Sequence, residues 1–124
     1  MIIRQGQMTA LSQVCRRDFE DSMASHLRRC FPRECKQLGE KKTKGEIRYG
    51  IDRASAYGIA LERDVCKYID LMFVYGRDFD RDPGLPWASR ILEDVTFPDA
   101  TTRTERLFGE AKHQMTNSAG STLQ

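Results

Sequence analysis

Hydrophobic positions recur at helical spacing along most of this chain. From Met8 they fall at Leu11, Cys15, Phe19, Met23, Leu27 and Cys30, steps of three and four that draw one stripe down a helix. Charges fill the spaces between, in "RRDFED" and in the Arg28–Arg29 pair. Pro32 ends this helix after Phe31. "PRECKQLGE" allows one or two turns stopped at Gly39, and "EKKTKG" reads as a lysine-rich surface loop. Thr43 and Glu46 then make T-x-x-E, a capping box that predicts the start of the next helix. Ile47, Ile51, Ala54 and Gly58 line one face of it. "YGI" closes it, with Gly58 suited to a left-handed cap and Ile59 able to pack back on the last turn.

The segment Glu62 to Tyr75 has its acids early and is apolar nearly all round thereafter. Such a helix belongs at the centre of its domain, and it is expected to be the most buried one. Pro86 suits the first position of a short helix, "PWASRILED". Thr96 and Asp99 flank Pro98 and announce a last helix, with Ala100, Thr104, Leu107, Phe108, Ala111 and Met115 on one face. "TNSAGSTLQ" is small and polar. The pattern therefore predicts an all-α fold, a single-domain bundle of about five helices over residues 1–116, followed by a flexible tail at 117–124.

Composition narrows the class. The 124 residues are 40% hydrophobic and 31% charged, the balance of a folded globular domain. With 20 basic against 18 acidic residues, the net charge of +2 gives no electrostatic footprint for nucleic acid. The longest nearly apolar run, Val65 to Tyr75, is about half a membrane span and is broken by Lys67 and Asp70. "MIIRQGQM" has none of the parts of a signal peptide, so no membrane partner and a cytoplasmic location are expected. In that setting Cys15, Cys30, Cys35 and Cys66 are expected as reduced thiols, mostly buried.

Three places invite a chemical reading. "GRDFDRDPGLPW" carries Asp78, Asp80 and Asp82 at alternate positions. A calcium loop starting at Asp78 wants Gly sixth and Glu twelfth, where this chain has Pro83 and Ser89. Neighbours on one loop do not form opposite walls of an acid–base cleft either. The loop is expected to be a structural connector, with its aspartates accepting backbone hydrogen bonds and Trp87 returning to the core. Secondly, His26 and Cys30 stand at i, i+4, a spacing that can hold two metal ligands, with Cys35 as a third. Without a fourth ligand the expectation is a structural histidine and no metal. Thirdly, His113 has no nucleophile near it in sequence. No G-x-S-x-G, H-E-x-x-H or phosphate-binding glycine loop occurs, so no catalytic residue and no cofactor is expected.

The run "IRYGIDRASAYGIALERDVCKYIDLMFVYGRDFDRDPGLPWASRIL" and the opening "MTALSQVCRRDFEDSMASHLRRCFP" resemble small bacterial proteins of unassigned chemistry. Those proteins are encoded among type VI secretion genes, beside spike, PAAR-tip and effector genes. The resemblance covers roughly residues 7 to 92. It implies a non-enzymatic accessory role: an adaptor or co-chaperone that helps load an effector onto the secretion spike. Its partner would be the effector, an effector chaperone or a spike component. The alternative is an immunity protein that binds and blocks a cognate toxin.

A contact surface can be sought among aromatic residues off the main stripes. Tyr49 and Arg53 are spaced i, i+4, Tyr57 follows, and Phe79 sits between Arg77 and Arg81. Exposed aromatic–arginine groups near helix ends are common interface anchors. Tyr49, Arg53, Tyr57 and Phe79 are therefore the expected partner-binding residues.

Overall fold

The structure, a computed structural model, describes residues 13–123, with side chains described over residues 16–116. Met8 and Leu11 lie outside the described residues, as does the side chain of Cys15. Five α-helices appear among the described residues: α1 (Gln13–Cys30), α2 (Pro32–Ala56), α3 (Glu62–Tyr75), α4 (Pro86–Leu92) and α5 (Ala100–Leu123). A single 3-10 turn, Phe79–Arg81, follows α3. The all-α expectation holds. The last helix continues to Leu123, through the segment expected to be a separate tail.

The main departure is in α2. It begins at Pro32 and breaks at Gly39, where φ 83 and ψ 163 take the chain out of helical geometry. It then resumes through "EKKTKG", the stretch expected to be a loop. Lys and Glu are good helix formers, and the break needs only the one residue that tolerates positive φ. Thr43 consequently sits inside the helix, buried, and caps nothing. Glu46 pairs with Arg77 Nε at 3.3 Å instead of closing a capping box.

α1 and α2 form an antiparallel hairpin. As numbers rise along α1 they fall along α2: Arg16 meets Asp52 at 2.8 Å, Glu20 meets Arg48 at 3.1 Å, and Asp21 meets Lys44 at 2.9 Å. Mostly solvent-facing pairs like these contribute up to about 1 kcal/mol each, so they fix register more than stability. The C-terminus of α2 is a Schellman cap, as the sequence indicates. Gly58 takes φ 80, its N–H donates to Ser55 O at 2.9 Å, and Ile59 N–H donates to Ala54 O at 2.9 Å. Ile59 and Ala54 are both fully buried, the hydrophobic contact that accompanies the motif.

α3 is the centre. Val65, Tyr68, Ile69, Leu71 and Met72 are buried. Around them pack α2 and α5 and, more lightly, the 3-10 turn and α1. α5 runs in the same direction as α3: Thr101 donates to Asp64 at 2.7 Å, and Tyr75 donates to Ala111 O at 3.1 Å further along both. Asp99 caps α5 by accepting from Thr102 N–H at 2.7 Å. Thr104, Leu107 and Ala111 bury its inner face, while Met115 stays exposed. Trp87 returns to the core edge-on to Tyr75, ring centres 5.4 Å apart.

Gly50 lets α2 and α3 close on each other. A methyl group there would lie 2.6 Å from Ile69 Cγ1 and 2.8 Å from Met72 Sδ. In an open helix Gly→Ala gains about 1 kcal/mol. Against a buried, stiff Ile69 the added carbon should cost more than it gains, by about 1–2 kcal/mol, and lower the melting temperature by several degrees. Thermal unfolding of Gly50→Ala checks this, and an unchanged or raised melting point would contradict the close seating of the two helices.

Candidate functional site

The aspartate loop resolves into an anchor. Asp80 is the key residue: its side chain is completely buried and forms an ion pair with Arg53 on α2. Tyr57, four residues on at the C-cap of α2, donates to the same Asp80 oxygen at 2.7 Å. Arg103 from α5 reaches the Tyr57 carbonyl at 2.6 Å. Asp78 accepts a hydrogen bond from Tyr49, which holds its carboxyl below the usual range, and Arg77 lies over the Tyr49 ring at 3.8 Å. Only Asp82 accepts a backbone bond, from Gly84 N–H at 2.8 Å. The connector role stands, although Asp78 and Asp80 bind side chains of α2 rather than their own backbone.

The four expected partner-binding residues are thus brought together, but for the fold. Phe79 is 1% exposed and packs on Tyr68 with ring centres 5.0 Å apart, so the expectation of an exposed ring fails there. Arg53 and Tyr57 are half-buried and engaged with Asp80. Tyr49 is half-buried under Arg77. Strand-like alternation in "RDFDRD" would put Phe79 and Asp80 on opposite faces, but the segment is a 3-10 turn in which both are buried.

A second cluster joins α1 to α3. His26 Nε2 bonds to both Asp70 oxygens, at 2.9 and 3.2 Å. Cys30 Sγ lies 3.8 Å from both ring nitrogens of His26. Cys66 stands one turn before Asp70 on α3, and His26, Cys66 and Asp70 each offer a ligand atom within 4.8 Å of the others. Cys35, considered as a third ligand from sequence, is elsewhere: it is buried beside Thr43 across the Gly39 kink. Cys66 and Asp70 were missed, yet "CKYID" repeats the i, i+4 spacing of His26 and Cys30. That repeat was the available signal.

Burial dominates the electrostatics of this cluster. It raises the Asp70 carboxyl above its ordinary value, and the adjacent His26 only partly offsets it. Burial also pushes the Cys66 thiol up to about 11, assisted by the nearby Asp70 and Cys30. Reactive cysteines have lowered thiol pKa values, and burial shifts this one the other way.

Beside the cluster, α1 and the start of α3 leave an open groove of about 430 Å³. Its floor is Phe19, Met23, Leu61 and Cys66, and Glu62 and Arg63 stand at its edge. Among the described residues, no helix is long and apolar enough to cross a membrane. No protein-family model matches this chain, and neither the curated proteins nor the solved structures gave a match to it.

Two measurements test the Asp80 anchor. Asp80→Asn leaves Arg53 charged and half-buried without its partner, and should cost about 2–3 kcal/mol in urea unfolding. Asp82→Asn should stay within about 0.5 kcal/mol; equal losses would remove the distinction drawn between the two.

The second concerns alkaline pH. Tyr57 ionises ordinarily near 10, and burial, then its bond to Asp80, raise this to about 12. The folded protein keeps a proton that the unfolded chain releases, so this stability is full below pH 10 and is lost as pH rises through 12. Tyr57→Phe should flatten that part of the stability profile between pH 10 and 12; an unchanged slope would show that Tyr57 does not carry it.

Proposed function

We propose that this protein is a non-enzymatic binding module, an accessory adaptor or co-chaperone that helps load an effector onto a type VI secretion spike. The observation that carries the reading is the apolar groove between α1 and α3, with its charged rim at Glu62 and Arg63. An apolar channel along helices is the shape that receives an amphipathic helix from a partner, whose buried face repeats every three or four residues. The resemblance of residues 7 to 92 to proteins encoded beside spike and effector genes supplies the partner class. Tyr49, Arg53 and Tyr57 enter this reading indirectly: they hold the loop after α3, while contact falls to the groove.

Leu61 offers a clean test. It occupies the N-cap of α3 in extended geometry, where aspartate is a preferred residue. Leu61→Asp therefore puts a charge on the groove while favouring the helix start. In co-expression with the effector from its own gene cluster, the unaltered protein should be captured. Leu61→Asp should lower capture at least about tenfold, since about 1.4 kcal/mol is a factor of ten. Toxin activity should persist in the complex. Capture that Leu61→Asp leaves unchanged would overturn the groove assignment, and complete loss of toxin activity on binding would establish the immunity role instead.

A further inference from the structure

We propose that His26, Cys30, Cys66 and Asp70 form a four-coordinate zinc site that ties the end of α1 to the central helix. Each helix contributes two ligands spaced i, i+4, so both pairs project from a single helix face. The two pairs face each other across the α1–α3 contact, where His26 already touches Asp70. Two sulfurs, an imidazole and a carboxylate are a donor set for zinc, whereas calcium and magnesium select oxygen alone.

The spacings fit. Tetrahedral bonds of about 2.0 Å to nitrogen or oxygen and 2.3 Å to sulfur place neighbouring ligand atoms about 3.3–3.8 Å apart. The Cys30 sulfur is 3.8 Å from the imidazole nitrogens. His26 and Asp70, now hydrogen-bonded at 2.9 Å, would part by a few tenths of an ångström. His26, Cys66 and Asp70 already stand within 4.8 Å of one another, and exposed Cys30, beside His26 but outside that trio, would turn in as the fourth ligand when the ion binds.

His26 and Asp70 are already in contact with Cys66 close by, so a divalent cation would find an imidazole, a carboxylate and a sulfur gathered for it. Once bound, it stabilises the carboxylate and deprotonates a coordinating thiol. All four positions being filled by protein, the role is structural: zinc would brace the wall of the neighbouring groove. The assignment is independent of the adaptor reading, since it concerns ligands and not the partner.

The test is metal binding by the reduced full-length chain after chelator treatment. Zinc added against a chromophoric competitor should bind one to one. Cobalt in its place should give thiolate-to-metal charge-transfer absorption and the visible bands of a tetrahedral site. Cys66→Ser, Asp70→Asn and Cys30→Ser should each weaken zinc about a hundredfold, and Cys35→Ser should change nothing. Cys30 is exposed, so its variant carries the test if Cys66→Ser does not fold. No stoichiometric binding, cobalt spectra without thiolate bands, or affinity lost with Cys35 rather than Cys30 would each overturn the site.

Discussion

The close approach of α2 to α3 at Gly50 is the constraint on which the bundle depends. Without a Cβ there, Ile69 and Met72 seat directly on the α2 backbone. This brings Tyr57 and Arg53 level with the chain that leaves α3, and so within reach of Asp80. An apolar contact thereby places a polar one. The order matters energetically, because a buried carboxylate is tolerated only where its partners are already in position.

The Asp80 anchor in turn fixes the route of the chain into α4. It is not a fully satisfied network, as Asp80 Oδ1 and Arg53 Nε have no hydrogen-bond partner in protein. Buried ion pairs often contribute little net stability but exclude alternative arrangements. Here the alternative is a different course for residues 76–85, which would withdraw Phe79 from Tyr68 and Trp87 from Tyr75. The loop that looks most like a ligand site in sequence serves to hold the far end of the bundle.

At the opposite side of α3, His26, Cys66 and Asp70 meet beside the α1–α3 groove. The hairpin ion pairs set the register of α1 on α2, and that register presents His26 to Asp70. Charge is thus used differently on the two sides of α1. Toward α2 the ion pairs are mostly exposed and guide alignment; toward α3 the His26–Asp70 pair is half-buried. The groove lies where α1 touches α3 lightly, so an apolar surface remains open next to those groups.

The sequence by itself determined the helical class, the central place of Glu62–Tyr75, the Schellman cap at Gly58 and the core position of Trp87. Each follows from local rules, because helical periodicity and glycine caps are written in neighbouring residues. It misled at Thr43, where a capping-box pattern lies inside a helix that had already restarted after Gly39. Capping motifs specify a local preference, and good helix formers upstream override it. It also misjudged Phe79, because exposure is decided by which face of a 3-10 turn meets Tyr68. Only the tertiary structure paired Asp80 with Arg53 and His26 with Asp70. These pairs are 27 and 44 residues apart along the chain. Periodicity places residues on a face, but it is the packing of one face on another that decides which side chains meet.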